Sequence, residues 1–407
     1  MKLFAALGPG DIVAAHRAQI SVEPILSETS IIYSRQLLEY CREQGIETLA
    51  LSHNRRVDSL RDGLLRVENR PRWLEGGGGA RYHLSSIAHA LYLAGRARRF
   101  GADLAIIDSG TAHYFTLACF RLLGIPVAIN FHNTLWPSGF EPRRWLARLI
   151  RSLDGWFFRR VAVATAGVSP ECGRQAQQLA GRALPFFEYR AQFRDEGFQP
   201  RRKDGVHNPF HVVFVGRVER NKGVLDIAAM AERLRQRSGP PIMFEVCGDG
   251  GALTELRRIV EEKGLGRIVL VHGRLARREL LQVYARAHAV IVPTRSDFCE
   301  GMPMVCAEAV LSNLPIVTSR LSNAIPVLGP ALVEAEPEDI EGYVGAILKL
   351  AEDRVTYDRL SDACPELARQ FVDRSQSLPA AVDRLIAHVF PGWKTLDRYE
   401  PLFKRVG

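Results

Sequence analysis

Short runs of apolar and β-branched residues alternate along this chain with longer segments whose apolar positions recur every three or four residues. Strand-like runs fall at 1–7, 46–51, 103–108, 125–130 and 161–168, with helix-like segments at about 30–44, 83–99, 111–123 and 142–158 between them. Strand followed by helix, repeated, predicts a parallel sheet with helices on both faces. A polar stretch at 185–209, with Pro and Gly and no period, reads as a linker. The alternation then restarts. Strands are expected at 211–216, 242–248, 267–273, 289–294, 314–319 and 331–336, and helices at 222–237, 252–263 and 277–287. The α/β reading is therefore two consecutive doubly wound, Rossmann-like domains, residues 1–195 and 205–387. Such sheets take ligands at the carboxyl ends of their strands, so two facing sheets make a cleft. The run Gly76–Gly79 is a flexible loop of the first domain, either a surface connector or a lid over substrate.

Composition narrows the class. The 407 residues exceed one ordinary core, and 47% apolar with 24% charged residues is globular usage. Apolar runs fall short of the roughly 18 residues that suggest a membrane span. The opening MKLFAALGPG is too short in its apolar part for a secretory signal and reads as a first strand. Seven scattered cysteines show no paired spacing, which fits reduced thiols in a cytoplasmic protein and neither a disulfide framework nor a zinc site. The net charge of +9 is local, because residues 51–160 hold 17 Lys+Arg against 8 Asp+Glu. That excess implies a surface meeting something anionic, a membrane face being one candidate. No nucleic-acid-binding module is recognisable, so a nucleic-acid partner is not expected.

The candidate chemistry starts from DFCEGMPMVCAEAVLSNLPIV (297–317), with Glu300 and Glu308 on either side of a helix start. Pro303 suits a first turn, and Asn313 with Pro315 marks the stop. The amides of Met302, Met304 and Val305 are then left for phosphate or sugar oxygens. Flanking carboxylates can accept from the vicinal hydroxyls of a sugar or a ribose, each such bond contributing about 1.5–3 kcal/mol. Spacing alone also permits Glu300 to complement the helix dipole and Glu308 to be solvated, and by itself favours that reading. GRVERNKG (216–223) follows a strand and opens a helix, bringing Arg217 and Lys222 to another helix start, where two cations can stabilise a departing diphosphate without a metal. CGDGG (247–251) allows close backbone approach after the next strand.

In order and spacing, residues 211–320 resemble the C-terminal domain of family 4 retaining glycosyltransferases, which have the GT-B fold. The resemblance implies a nucleotide-diphosphate-sugar donor lying against the second domain and no other cofactor. Gly216, Arg217 and Lys222 would hold the diphosphate. Glu300 would take hydroxyls of the transferred sugar, with Gly301, Met302, Met304 and Val305 beside sugar and phosphate. Glu308 would take the ribose, and the loop at Gly273–Leu275 would lie near the base. In the first, acceptor-side domain, AINFHNTLWP (128–137) matches a strand ending in a histidine that faces the donor sugar, here His132, and VSP (168–170) also matches. The family's glycine loop would be Gly8 and Gly10. LGPGD departs from the pattern, because about 18 residues separate it from a helix start at SETS, so Thr29 or Ser30 is the other candidate for that helix end. The tail 388–407 would cross back to the first domain. The implied reaction is sugar transfer to a sugar or lipid-linked acceptor hydroxyl with retained configuration, in polysaccharide or glycolipid synthesis. The implied setting is cytoplasmic, at the inner face of a membrane.

Segment 142–160 groups Trp145, Leu146, Leu149, Ile150, Leu153, Trp156 and Phe157 beside Arg143, Arg144, Arg148 and Arg151. This is either a helix packed on the first sheet or an interfacial helix on anionic lipid. Two rival functions remain. A nicotinamide dehydrogenase would need G-x-G-x-x-G or -A at a strand–helix turn, but Val13 and Leu253 occupy the third place. An inactive GT-B-like nucleotide- or lipid-binding protein would not need Arg217, Lys222 and both glutamates.

Overall fold

The computed structural model describes residues 1–20, 30–73, 79–194, 197–200 and 209–396. Thr29, Gly76 to Gly78 and the tail beyond 396 lie outside the described residues. Strand β1 (Lys2–Leu7) is buried on both faces, as a central parallel strand must be. Helix α1 (Ile12–Ile20) follows at once, with Asp11 Oδ1 accepting the Ala14 amide at 2.9 Å. No long gap separates the glycine loop from its helix, which corrects the sequence expectation. The helical period was obscured because His16, 2% exposed and 3.1 Å from Asp62 Oδ2, fills a core position. Ser30 is not a helix start either. It belongs to β2 (Ser30–Ile31), and α2 is Tyr33–Glu43.

Next come β3 (Glu47–Ser52), β4 (Asp58–Asp62) and β5 (Leu65–Asn69). The antiparallel β4–β5 hairpin was not expected, because its polar edge strand DSLRD carries no apolar alternation. The Asp62–Gly63 turn was the available signal. Then follow α3 (Ala80–Phe100), β6 (Leu104–Asp108), α4 (Ala118–Leu122), β7 (Val127–Phe131), α5 (Trp145–Arg160), β8 (Ala162–Gly167), α6 (Pro170–Ala180), β9 (Phe186–Glu188) and β10 (Gln192–Phe193). The last two strands lie inside the stretch read as a linker, and are too short to show a period. The eight-stranded sheet runs β4-β5-β3-β1-β6-β7-β8-β9, parallel except for β4. Right-handed crossovers put α3, α4, α5 and α6 on one face. On α5, Phe157 and Phe158 fill the core, whereas Trp145, Leu149, Leu153 and Trp156 are exposed, so the expectation of a helix packed on the sheet holds for one side only.

The second domain contains β11 (Phe210–Val215), α7 (Val224–Arg235), β12 (Ile242–Cys247), α8 (Leu253–Glu262), β13 (Val269–Gly273), α9 (Arg277–Arg286), β14 (Ala289–Val292), α10 (Met304–Leu311), β15 (Ile316–Thr318), α11 (Ile325–Leu328), β16 (Leu332–Glu334), α12 (Ile340–Glu352) and α13 (Arg354–Ala368). Its six strands are all parallel in the order β13-β12-β11-β14-β15-β16, so the order reverses between β11 and β14, where a crevice opens. Phe193 and Phe198 already pack into this second core.

Helix α14 (Leu378–Val389) belongs to the first core, so the chain returns ahead of the boundary at 388 read from sequence. Its buried Asp383 accepts from Tyr40 OH at 2.7 Å and Trp393 Nε1 at 3.0 Å. A second tie joins the two domains at Arg190, whose amide donates to Gln376 O at 2.7 Å and whose Nε donates to Gln370 Oε1 at 2.6 Å.

Candidate functional site

Between β11 and α7 the chain makes a short turn, Arg220–Lys222, closed by Gly223 at φ +71°. A Cβ at Gly223 would stand 1.9 Å from the Pro293 carbonyl oxygen, so only glycine lets this turn seat on the end of β14. The turn aims Lys222 at the loop after β14. Lys222 Nζ lies 4.1 Å from the centre of the Phe298 ring, and the Arg217 guanidinium lies 5.5 Å from it. Phe298 thus gathers both cations, each attracted by the ring's negative face. Lys222 Nζ also donates to Glu300 Oε2, and Thr294 Oγ1 donates to the same oxygen at 3.3 Å. Glu300 is 7% exposed, so this carboxylate has a fixed place rather than a solvated one.

The backbone of Glu300 joins the two domains. Its carbonyl accepts from Asn323 Nδ2 at 2.6 Å and, across the cleft, from Thr134 Oγ1 at 3.0 Å. At Gly301 a Cβ would stand 2.0 Å from the His132 carbonyl oxygen. Arg217, Lys222, Glu300, Gly301 and His132 are therefore brought together where the sheets meet. Pro303 takes the position before the first helical residue of α10, and the first amide bonded within the turn is Cys306 N to Pro303 O at 3.0 Å. The Met304 and Val305 amides precede it at the helix start, and Met302 packs against both cores. Met304 faces the first domain, with Ser30 Oγ donating to its Sδ at 3.2 Å.

Glu308 is 5% exposed and accepts from Tyr284 OH of α9, so it is a buried acid and not a solvated one. Burial, followed by the charges of Glu300, Lys222 and Glu308, sets the Cys306 thiol, whose pKa is raised; the two carboxylates and the ammonium all act on this one buried side chain. Gly216 follows β11, and its amide donates to Cys247 O at 3.1 Å. Gly273 closes β13, its carbonyl accepting the Gly248 amide at 2.8 Å, and Leu275 packs partly into the second core. Gly8 and Gly10 end β1 on the first-domain side. Their carbonyls accept from Ser52 Oγ at 2.9 and 2.5 Å, which fixes the loop against β3 rather than against the Lys222 turn.

His132 sits in a network not expected from sequence. Its Nε2 is 3.0 Å from Asp108 Oδ2, and Asn130 Nδ2 donates to Asp108 Oδ1 at 2.8 Å. Tyr189 OH donates to Asn130 Oδ1 at 2.8 Å and stands 3.3 Å from His132 Nδ1. Tyr33 covers the ring at 5.0 Å between centroids. Burial alone would lower the pKa of His132, but the charge and hydrogen bond of Asp108 outweigh it and hold the imidazole above its ordinary value. The two-residue period of β7 puts Asn130 and His132 on one face and was legible; the distant Asp108 and Tyr189 were not.

A second group of histidines lies beside this network at the carboxyl ends of β3 and β6. His83 Nδ1 and His113 Nε2 share a hydrogen bond at 2.8 Å, and His53 meets His89 with ring centroids 5.9 Å apart. Burial and the nearby Arg72 charge push His53 down to about 4 and, together with His53, push His89 down to about 3. Among the described residues, buried His53 Nδ1, Ser86 Oγ and Thr111 Oγ1 have no hydrogen-bond partner.

Comparison with known proteins agrees with this architecture. The family described as glycosyl transferases group 1 matches residues 197–367, and the glycosyl transferase 4-like domain matches residues 30–186. Similar curated proteins include the alpha-D-kanosaminyltransferase of Streptomyces kanamyceticus, 24% identical over 67% of this chain and 70% of that protein. The glycogen synthase of Mycobacterium tuberculosis is 25% identical over 68% and 69%. Among solved structures, Anabaena HepE in complex with UDP aligns over 96% of this chain and 99% of that one, with a TM-score of 0.63 at 17% identity. Sucrose-phosphate synthase from Thermosynechococcus elongatus aligns over 96% and 100%, with a TM-score of 0.71 at 15% identity, and likeness at such identities establishes the fold. With one family match on each domain and the fold shared nearly end to end, the chain belongs to the GT-B glycosyltransferases, its second domain a glycosyl transferases group 1 domain and its first a glycosyl transferase 4-like domain.

Proposed function

We propose that this enzyme moves a sugar from a nucleotide-diphosphate sugar to an acceptor hydroxyl with retention of anomeric configuration and without a metal. The observation that carries the reading is the convergence of Arg217 and Lys222 on Phe298, with Glu300 paired to Lys222 and Gly301 directly against the His132 carbonyl of the facing domain. Arg217 and Lys222 neutralise the departing diphosphate, with the first amides of α10 adding hydrogen-bond donors. Glu300 accepts from hydroxyls of the transferred sugar, and its pairing with Lys222 holds it in place before the donor arrives. Glu308, steadied by Tyr284, takes the ribose hydroxyls. His132, whose pKa Asp108 raises, faces the sugar from the first domain. The acceptor oxygen attacks the anomeric carbon on the face the phosphate leaves. As the carbon–oxygen bond to phosphate breaks, that phosphate takes the acceptor's proton. The histidine group around His53 and His113 lies on the acceptor side, where buried unpaired donors and acceptors suit a hydroxylated ligand.

HepE, which shares the fold, has been solved with UDP and with UDP-glucose, which supports testing UDP-sugars first. Titration calorimetry with a panel of nucleotide sugars, repeated with chelator, identifies the donor. Product NMR with that donor then reads the anomeric configuration. Failure of every nucleotide sugar to bind, or an inverted product, refutes the reading.

A further inference from the structure

Helices α3, α4 and α5 lie side by side on one face of the first sheet. Cys119 Sγ of α4 donates to Ala90 O of α3 at 3.8 Å, and Arg121 of α4 reaches the Arg160 carbonyl at the end of α5. A surface helix ordinarily turns its polar side to water, but these helices turn apolar side chains outward. On α5, Trp145, Leu149, Leu153 and Trp156 fall within about 80° of arc at 3.6 residues per turn, with Trp145 71% and Trp156 49% exposed. On α3, Leu84, Ile87 and Leu91 form an exposed ridge, while Ser85, Ser86 and His89 are buried. Leu122 at the end of α4 is 87% exposed. None of the described helices is long and apolar enough to cross a membrane.

The three helices present charge of one sign, and the acid that precedes α5, Glu141, is paired with Arg151. Neither α3 nor α4 contains an acid, and the single acid of α5, Asp154, turns inward to accept the Phe115 amide at 3.0 Å. Arg143, Arg144 and Arg148 are exposed at the start of α5, and Arg98, Arg99 and Arg160 at the far ends of α3 and α5.

We propose that this three-helix face docks on an anionic lipid bilayer. The leucines and tryptophans enter the boundary between headgroups and acyl chains, and the arginines meet lipid phosphates. A second copy of the chain would bring the same positive charge and be repelled, whereas an anionic bilayer complements both the apolar stripe and its arginine border. Because α3 and α5 start at the carboxyl edge of the sheet, docking holds the mouth of the cleft at the lipid surface. The inference deepens the sugar-transfer reading and rests on it in one point, that the acceptor hydroxyl is lipid-linked; docking itself needs no donor.

The test is co-sedimentation of the full chain with phosphatidylcholine vesicles, with and without a minority of phosphatidylglycerol. Binding is expected only with the anionic lipid and should fall steeply in high salt. Arg143→Glu/Arg144→Glu/Arg148→Glu should lower partitioning by about a hundredfold or more. Trp145→Glu/Leu149→Glu/Trp156→Glu should abolish it. All six side chains are at the surface, so circular dichroism, nucleotide-sugar binding and transfer to a water-soluble acceptor should match the parent. Absence of parent binding to anionic vesicles, equal binding of the substituted proteins, or a lipid-independent dimer broken by the same substitutions overturns the inference. Since the readout is lipid binding without donor, its failure is distinguishable from failure of the transfer reading.

Discussion

Lys222→Ala separates what this cation does for folding from what it does for transfer. Glu300 is 7% exposed and accepts from Lys222 Nζ and, at 3.3 Å, from Thr294 Oγ1. Without the ammonium, the Thr294 hydroxyl is the side-chain donor that remains among the described residues. Breaking a buried ion pair from one side costs about 3–5 kcal/mol. The Lys222 side chain is 16% exposed, so water re-enters and the lower end, about 3 kcal/mol, is expected. In a domain of this size each kcal/mol moves Tm by about 2–4 °C, giving a fall of about 6–12 °C. Adding Glu300→Gln removes the orphaned charge and should return at least about 1 kcal/mol. Transfer should respond differently. Loss of one charge-assisted donor to the leaving phosphate lowers kcat by about a hundred- to a thousandfold, and the second substitution should not restore it. Thermal unfolding by circular dichroism and initial rates with saturating donor read the two effects. A Lys222→Ala protein that melts with the parent, or that turns over within a few-fold of it, refutes the argument.

Arg217 is exposed, so Arg217→Ala should leave the unfolding free energy within about 0.5 kcal/mol of the parent while kcat/KM falls by about a hundredfold or more; equal rates would remove it from the phosphate site. Asp108→Asn removes the charge that holds His132 above its ordinary pKa, so burial takes over and the alkaline limb of the rate profile should move to lower pH. The parent's matching stability term is full below about pH 6.5 and fades as pH rises through the folded pKa, and Asp108→Asn should lose it. Glu245, 1% exposed, accepts from His272 Nε2 at 2.7 Å, Arg286 Nε at 2.9 Å and His211 Nδ1 at 3.1 Å. Glu245→Ala leaves three donors facing a void and should cost about 3–5 kcal/mol in urea unfolding. Burial would raise the Glu245 pKa, but those partners hold it far below the usual range, so its stabilisation persists above pH 4.5 and fades only in acid beneath that. His53 and His89 have depressed pKa values, about 4 and about 3, so the unfolded chain binds more protons below pH 6.5 and stability should fall as pH drops from there. His89→Gln should flatten that fall, and an unchanged slope in pH-dependent melts would count against the neutral histidines.

The alternation of apolar runs and helical periods was enough to read two doubly wound domains, because buried parallel strands are written in contiguous residues such as Val212, Val213 and Phe214. Local turn chemistry likewise placed α10 from Pro303. Other elements left weak local traces. The β4–β5 hairpin is polar at its edge, and α1 uses a buried histidine where a period needs an apolar residue. The assembly of the site was not local at all. Phe298 holding both cations, Tyr284 bonded to Glu308, and Asp108 and Tyr189 enclosing His132 are contacts between residues far apart in the chain. Sequence also could not say which side of α5 faces water, since one stretch carries apolar residues for both. Only packing on the sheet decided that Phe157 and Phe158 turn in and the tryptophans turn out. The period of a helix belongs to the chain, but which arc of it is buried depends on the neighbours it meets.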